Sequence, residues 1–287
     1  MKSNVGLAAR NSHGFWYTHK FLILRRLSQL SILGLFLLGP IFGLWIIKGN
    51  LSNSLILDTI PLTDPFVFIQ VLFAGHLPEL TAIIGVTIVL LFYFVLGGRT
   101  FCSWVCPVNM VTDFAGYLRR LLRINTHTKI SKNLRFTLLI SCLVAPLIVS
   151  IVAWEMINPV SLFHRGIIFG IGYGWLIILT IFIFDLMIVR NGWCGHICPM
   201  GAFYGLIGKY GLVNVTANNR EACDNCGDCY LVCPEPEILK GPLRNKSGAE
   251  SPLINKQDCT KCGRCIEVCD LKVFELKWLE DKKQKQH

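Results

Sequence analysis

The stretch CDNCGDCYLVCP, Cys223 to Pro234, and its near repeat CTKCGRCIEVCD, Cys259 to Asp270, decide the fold of the last quarter of the chain. Both have the spacing C-x2-C-x2-C-x3-C, but Asp270 stands where the first run has Pro234. Eight cysteines in two four-membered runs exceed what a zinc ribbon needs. The chain's total of 13 is odd, which argues against a disulfide framework. The spacing is typical of ferredoxin domains that hold two 4Fe-4S clusters.

In such a domain the first three cysteines of a run bind one cluster, and the fourth reaches across to the other cluster. The pattern assigns cluster one to Cys223, Cys226, Cys229 and Cys269, and cluster two to Cys259, Cys262, Cys265 and Cys233. The exchange of proline for Asp270 leaves these ligands intact and bears only on the local turn and the cluster potential. We therefore expect a small α+β ferredoxin-like domain over residues 216–287, which stores and passes single electrons.

The rest of the chain has the composition of a membrane protein. Of its 287 residues, 53% are hydrophobic and only 16% are charged, which is not the balance of a soluble domain. The net charge of +10 arises in residues 1–215, which hold 16 Lys and Arg against 6 Asp and Glu, whereas residues 216–287 hold 12 of each. Because the surplus lies in the apolar part, it reports membrane topology and predicts no nucleic-acid partner.

Four runs are long and apolar enough to cross a bilayer, which takes about 20 residues of helix. They cover residues 27–47, 80–98, 136–154 and 170–189, the last interrupted by Asp185. The run 65–75 has only 11 residues, and we interpret it as an interfacial or re-entrant piece. The predicted fold class is an α-helical membrane domain with four transmembrane helices, residues 27–215, between an N-terminal arm, residues 1–26, and the ferredoxin domain.

Positive charge is concentrated on one side of the predicted spans. The arm and the segment between the second and third spans together carry 12 Lys and Arg, whereas the other two connections offer only Lys48 and Arg165. Since short cytoplasmic loops are enriched in these residues, both termini are predicted to be cytoplasmic. The first apolar run has 21 residues and no small-residue cleavage site, so we expect it to stay as a span.

The membrane part contains two further cysteine motifs. FCSWVCP, residues 101–107, follows the second span, and WCGHICP, residues 193–199, follows the fourth. A shift of 92 residues aligns Cys102 with Cys194, Cys106 with Cys198, and Pro107 with Pro199. We therefore interpret the membrane domain as a duplicated two-span unit whose halves have the same orientation.

The proline of each CxxxCP motif is expected to open a helix, because proline is favoured at the first helical position and breaks a helix interior. This places Cys106 and Cys198 near helix N-termini, where a thiolate is stabilised, and leaves Cys102 and Cys194 in the preceding loops. Two interpretations stay open. The four sulfurs converge as an additional redox centre, either a cluster or a redox-active thiol set, or they are buried structural cysteines.

The combination of four spans, two CxxxCP motifs and a tandem ferredoxin domain resembles the NapH family, the membrane ferredoxin-type subunits of quinol dehydrogenases that serve periplasmic nitrate reductase. The resemblance covers nearly the whole chain. It implies a bacterial inner-membrane protein that oxidises quinol and passes electrons to a NapG-like ferredoxin-type subunit, then through a c-type cytochrome to nitrate reductase. The NosR and CcoG families share this core, but their large additional regions do not fit in this length.

Quinol oxidation releases protons as well as electrons, so a proton acceptor is needed beside the electron acceptor. Asp185 is the candidate, because a carboxylate within a membrane span is costly and it lies nine residues before Cys194. The predicted catalytic set is Cys102, Cys106, Cys194, Cys198 and Asp185. The alternative interpretation is that Asp185 only pairs with Arg190 or Arg99.

Other polar groups receive weaker interpretations. His196, inside the second motif, is a candidate proton carrier or ligand, although its counterpart Trp104 is neither. Glu79, Glu155 and His164 are expected near the outer surface, exposed to solvent. Residues 114–123 mix apolar side chains with three arginines, as an interfacial helix or a partner-docking face would.

A rival function belongs to a different class. An assembly or maturation factor, as in CcoG, would use the same clusters to reduce a metal or a disulfide in a client protein, and would oxidise no quinol. The two functions differ in whether quinol reduces the clusters.

Overall fold

The computed structural model describes residues 5–124, 128, 130–170, 172–244, 251–254 and 257–278. These residues belong to two compact units. Unit 1 draws on residues 1–27, 93–104 and 204–287, and unit 2 on residues 28–92 and 105–203. This division differs from the predicted domains, because the N-terminal arm and a short piece after the second apolar run group with the ferredoxin part. Residues 279–287 of the predicted ferredoxin domain lie outside the described residues.

The described chain is mainly helical. Its α-helices are α1 Leu7–Phe42, α2 Pro65–Phe73, α3 Leu80–Leu96, α4 Thr100–Trp104, α5 Val108–Leu121, α6 Leu134–Val149, α7 Ala153–Ile157, α8 Pro159–Phe169, α9 Gly174–Met187, α10 Pro199–Gly208, α11 Asp228–Val232, α12 Lys240–Arg244 and α13 Arg264–Val268. The strands are β1 Ile47–Gly49, β2 Asn53–Ile56, β3 Ile60–Thr63, β4 Val213–Thr216 and β5 Glu275–Trp278. A π-helical turn covers Trp193–Ile197, and 3₁₀ turns cover Arg220–Ala222 and Pro236–Leu239.

Each predicted span contains an apolar helix, but the helices are not all of spanning length. Within the described residues, only α1 is both long and apolar enough to cross a bilayer. The helices α3, α6 and α9 are apolar and have 17, 16 and 14 residues. Two of their ends are set locally: Gly97 follows α3 and Ser150 follows α6, both with positive φ, which does not continue a right-handed helix. The four-span arrangement stays a prediction.

The first helix is longer and placed earlier than the sequence predicts. It begins in the N-terminal arm and ends at Phe42, so residues 43–47 of the predicted span lie beyond it. Gly14 adopts φ 80° and ψ 173° within α1, which joins two helical segments at a kink. Such a backbone conformation suits glycine, which has no Cβ to clash.

Unit 2 contains a small antiparallel sheet that the sequence analysis does not predict. Strands β1, β2 and β3 lie in chain order, with Ile47 opposite Ile56 and Ile56 opposite Ile60. Asp64 then caps α2, because its side chain accepts the Phe66 N–H at 3.1 Å. The run predicted as interfacial or re-entrant is therefore a nine-residue helix.

Unit 1 contains the ferredoxin part around its own apolar core. Strands β4 and β5 pair antiparallel, with Val213 opposite Trp278. The short helices α11 and α13 pack against each other. The core residues include Val215, Leu239, Ile254, Val273 and Phe274. The predicted boundary at residue 216 falls inside β4, at the last residue of that strand.

Replacement of Gly263 is expected to cost stability in two ways, by backbone strain and by steric overlap. This glycine precedes α13 at φ 75°, and an added Cβ would overlap the ring of Phe21. Gly227 occupies the same place in the first cysteine run at φ 83°, with open space where a Cβ would stand. Gly227→Ala should cost only the backbone strain of about 1–3 kcal/mol. Gly263→Ala should cost more, seen as a lower temperature for iron loss on heating. Equal losses in both variants would mean that Phe21 moves aside freely.

Candidate functional site

The eight cysteines of the two runs form two sets in unit 1, and each set combines three residues of one run with the last residue of the other. In the first set, burial raises the pKa of Cys229 to about 12, reinforced by the charges of Cys226, Cys223 and Cys269. In the second, burial raises the pKa of Cys233 above its ordinary value, reinforced by Cys262 and Cys259. These mutual effects require the sulfurs of each set to lie close together.

A cavity marks the second set. Its lining includes Cys233, Cys259, Cys262 and Cys265, together with the apolar side chains Ile238 and Ile254. The four cysteines that the run spacing assigns to cluster two therefore line one cavity. In the described part of the chain, no three His, Cys, Asp or Glu side chains are placed to hold a single metal ion. A four-iron cluster binds each sulfur through a different iron, so its ligands stand farther apart than around one ion.

The chemistry of the donors fits a cluster. None of the 13 cysteines, all of which the structure describes, forms a disulfide. Burial raises the pKa of Cys259 to about 11, so in the absence of iron this thiol is protonated at neutral pH. Iron binds thiolates, so loading such a site releases protons, and the buried negative charge requires a cation. These buried cysteines are therefore suited to hold 4Fe-4S clusters.

The N-terminal arm contacts the acidic residues of the cysteine runs, which the sequence analysis did not foresee. Ser12 Oγ donates to Asp270 Oδ1, and His13 Nε2 lies 2.7 Å from Asp270 O. The backbone N–H of Gly6 donates to Asp228 Oδ2 at 2.9 Å. Asp270, which replaces the usual proline, therefore holds the arm against the second run.

The arm also meets α13. The backbone N–H of Leu22 donates to Glu267 Oε1 at 3.0 Å, and Glu267 is only 6% exposed. Burial raises the pKa of this carboxyl, and the hydrogen bonds from Leu22 and Phe21 act in the opposite direction. Phe21 itself packs against the ferredoxin core. The arm is thus a structural part of unit 1.

The first CxxxCP motif is divided between the units. Cys102 lies in α4, within unit 1. Cys106 lies in unit 2, directly before Pro107, which is the N-cap residue of α5. The expectation that Cys102 occupies a loop is wrong, because residues 100–104 form a helical turn of their own. Convergence of the four motif sulfurs stays a prediction.

The second CxxxCP motif lies entirely in unit 2. Cys198 precedes Pro199, the first residue of α10, and its sulfur accepts the Gly201 N–H at 3.4 Å. This confirms the expected position of Cys198 at a helix N-terminus. Cys194 lies in the π-helical turn and not in a loop, with its sulfur 3.9 Å from Thr112 Oγ1.

Asp185 is fully buried beside this motif. Its Oδ1 accepts the Trp193 N–H at 2.9 Å, and its Oδ2 has no hydrogen bond of normal geometry among the described residues. Arg119 of α5 donates to the backbone oxygens of Asp185 and Leu186 at 3.2 and 3.1 Å. Arg119, which the sequence analysis did not consider as a partner of Asp185, is therefore a cation close to this carboxylate.

The interpretation of residues 114–123 as an interfacial helix or a partner-docking face stays a prediction, and Arg119 lies on the buried side of that helix. The segment belongs to α5, which packs on α9, and Arg119 is only 3% exposed. At least one of its three arginines is thus buried inside unit 2. His196 lies half-buried in the π-helical turn, and its role as a proton carrier stays a prediction.

The expectation that Glu155 and His164 are simply exposed to solvent is wrong. Ser52 Oγ and Asn158 Nδ2 donate to Glu155 Oε2 at 3.1 and 3.2 Å. His164 is 3% exposed and lies edge-on to Phe36, with ring centroids 4.8 Å apart. Burial lowers the pKa of His164, so its ring is neutral at pH 7.

Known protein families match both halves of the chain. A family described as "4Fe-4S binding domain" matches residues 79–125 and again residues 171–215. The two matches begin 171 − 79 = 92 residues apart, the same shift that aligns the CxxxCP motifs. A family described as "4Fe-4S dicluster domain" matches residues 222–273. Iron–sulfur binding families therefore cover the two CxxxCP regions as well as the ferredoxin runs.

Individual relatives match over nearly the full length. The chain is 51% identical to "Ferredoxin-type protein NapH" of Haemophilus influenzae, covering 94% of both chains. It is 46% identical to the NapH protein of Escherichia coli, covering 96% of this chain and 95% of that one. It is also 46% identical to "Methylamine utilization ferredoxin-type protein MauN" of Methylorubrum extorquens, covering 94% and 92%. No solved structure matches significantly.

Proposed function

Because the chain belongs to the family of NapH and MauN ferredoxin-type proteins, we propose that it is the membrane electron-transfer subunit of a quinol dehydrogenase. The observation that carries the proposal is the crossed grouping of cysteines, in which Cys233 lines one cavity with Cys259, Cys262 and Cys265. Two 4Fe-4S clusters, when bound, supply one-electron carriers. The thiols bury their ligating atoms away from water and fix the positions of the two carriers.

The membrane topology is part of the proposal. The long apolar helix α1 and the family membership indicate a membrane protein. We propose that α3, α6 and α9 are the cores of three further spans, with both termini on the cytoplasmic side. The support is the 12 Lys and Arg in the arm and in the segment between the second and third apolar runs.

Asp185 and the CxxxCP cysteines form the proposed quinol region. A fully buried carboxylate with one uncommitted oxygen is suited to accept a proton from a quinol hydroxyl. Each quinol gives up two protons and two electrons, so its electrons leave one at a time to the iron–sulfur carriers. The matches of an iron–sulfur binding family to both CxxxCP regions support an additional redox centre there.

The electron acceptor is proposed from the family to which the chain belongs. The names of the relatives include both the NapH proteins and a methylamine utilization protein at the same 46% identity. The higher identity to the Haemophilus NapH protein, 51%, favours nitrate reduction. We propose a NapG-like ferredoxin-type subunit as the direct partner, and a c-type cytochrome and periplasmic nitrate reductase downstream.

An anaerobic titration with a menaquinol analogue tests the proposal. We expect quinol to reduce the clusters of the purified wild-type protein, followed by low-temperature EPR. The variant with Cys102, Cys106, Cys194 and Cys198 all changed to serine should lose this reduction while keeping about eight irons per chain from two clusters. A wild-type count of about twelve irons would indicate a third cluster at the CxxxCP motifs.

Sodium dithionite serves as the control in this titration, because it reduces clusters without a quinol site. If dithionite reduces the clusters but quinol does not at any ratio, quinol oxidation by this subunit is refuted. The rival maturation function would then be favoured, and binding of a client protein would be the next measurement.

A further inference from the structure

A row of hydrogen bonds joins the segment after α3 to the loop that begins the second cysteine run, both within unit 1. Arg99 Nη1 donates to Asp258 O at 2.7 Å, Ser103 Oγ to Thr260 O at 2.6 Å, Trp104 Nε1 to Lys261 O at 3.2 Å, and Lys261 Nζ back to Leu96 O at 2.8 Å. The backbone on both sides of Cys259 is therefore held by one short segment. That segment includes α4, the helix that carries Cys102.

Two of these side chains are buried cations. Arg99 is 1% exposed and Lys261 is 5% exposed. Burying a cation is costly unless negative charge lies close by. Arg99 Nη1 lies 3.4 Å from Glu235 Oε1 and 3.9 Å from Asp258 Oδ1, so carboxylates offset part of this charge.

The positive charges lie beside the cysteines of the second set. Arg99 binds the backbone oxygen of Asp258, the residue before Cys259, and Lys261 stands between Cys259 and Cys262 in the run. Glu235 and Asp258 line the same cavity as the four cysteines. The second set thus has two buried cations and two carboxylates close by.

The first set has more carboxylates around it. Asp224 and Asp228 stand within its cysteine run, and Asp224 Oδ1 accepts the Cys226 N–H at 3.1 Å. Asp270 directly follows Cys269, the last member of the set. Negative charge close to this set makes the addition of an electron there less favourable.

We propose that Arg99 and Lys261 set the order in which the two clusters are reduced, so that the first electron occupies the site of Cys233, Cys259, Cys262 and Cys265. An added electron makes a site more negative, and nearby buried cations stabilise that charge. The more easily reduced site is then the one bonded to the helix of Cys102, where electrons from the CxxxCP region arrive. The inference rests on the part of the proposed function that gives unit 1 two clusters, and it needs no quinol.

A mediated redox titration of the full-length holo protein, with dithionite as the reductant and EPR as the readout, tests this order. In Arg99→Gln and in Lys261→Gln, the first signal to appear should move to lower potential, while the second stays in place. Lys272→Gln is the matched control, since it removes a positive charge beside the first set, near Tyr17. This control should leave the first signal unchanged.

Arg99→Lys separates charge from packing, because lysine keeps the positive charge but not the guanidinium geometry. We expect it to keep the wild-type potential of the first signal. If Arg99→Gln loses iron, the other two variants test the inference. Lys261→Gln, which removes a charge, should lower the potential of the first signal, whereas Arg99→Lys, which keeps the charge, should not. The inference is overturned if both charge-removing variants leave the first signal in place, or move both signals equally. A wild-type count of about four irons per chain would instead refute the two-cluster part of the proposed function.

Discussion

Replacing Cys233 with alanine is expected to remove the cluster assigned to the other cysteine run, not the cluster of its own. Iron should fall from about eight to about four atoms per chain. The physical reason is that Cys233 lines the cavity of Cys259, Cys262 and Cys265. Its neighbours in sequence, Cys226 and Cys229, belong to the set completed by Cys269.

Four single variants show which cluster is lost. The EPR signal that remains in Cys233→Ala should match the one that remains in Cys262→Ala, because both remove a ligand of the same proposed site. Cys269→Ala should match Cys226→Ala for the same reason. An uncrossed arrangement predicts the opposite pairing, in which Cys233→Ala matches Cys226→Ala, and that result would refute the ligand assignment.

Asp185→Asn is expected to lower the rate of quinol oxidation about 100-fold, which is a typical effect of losing a catalytic proton acceptor. Asparagine keeps an oxygen that accepts the Trp193 N–H, so the turn before Cys194 should keep its shape. What it loses is the carboxylate that accepts a proton. The measurement is the initial rate of cluster reduction by a menaquinol analogue, followed by absorbance under anaerobic conditions.

Two controls accompany this variant. Its clusters should still be reduced by dithionite at the wild-type rate, and its iron content should be unchanged. Asp113→Asn removes a neighbouring carboxylate that acts on Asp185 electrostatically, and it should change the rate far less. A wild-type quinol rate in Asp185→Asn would show that this carboxylate only stabilises the turn at Trp193.

The first three cysteines of each run are the easiest to place from the sequence, because their geometry is local. Each run places three cysteines within seven residues, and a glycine with positive φ, Gly227 or Gly263, follows the second cysteine in both. The helix-opening role of Pro199 is local too, and it places Cys198 correctly. Such features depend on a few residues and need no knowledge of distant contacts.

The sequence does not predict the contacts between residues that lie far apart in the chain. The bond between Gly6 and Asp228 joins residues 222 positions apart, and the bond between Ser12 and Asp270 joins residues 258 apart. Arg119 appears from sequence as one of three surface arginines, but its partners lie 66 and 67 residues later. Because these pairs follow no spacing rule, the sequence predicts only a cytoplasmic arm, and only an interfacial or partner-docking helix over residues 114–123. The only local signal was Asp270 in the place of proline.

The contacts of the N-terminal arm also fix the order of events while the chain is made. Ser12 leaves the ribosome 258 residues before Asp270. At roughly 5–20 residues per second, the arm waits on the order of ten to fifty seconds for its binding site. The apolar helices of unit 2 emerge within that interval, whereas unit 1 is incomplete until β5 has been synthesised. The cysteine runs and the strand that completes their unit are synthesised last, so iron–sulfur delivery to them belongs to the last stage of biogenesis.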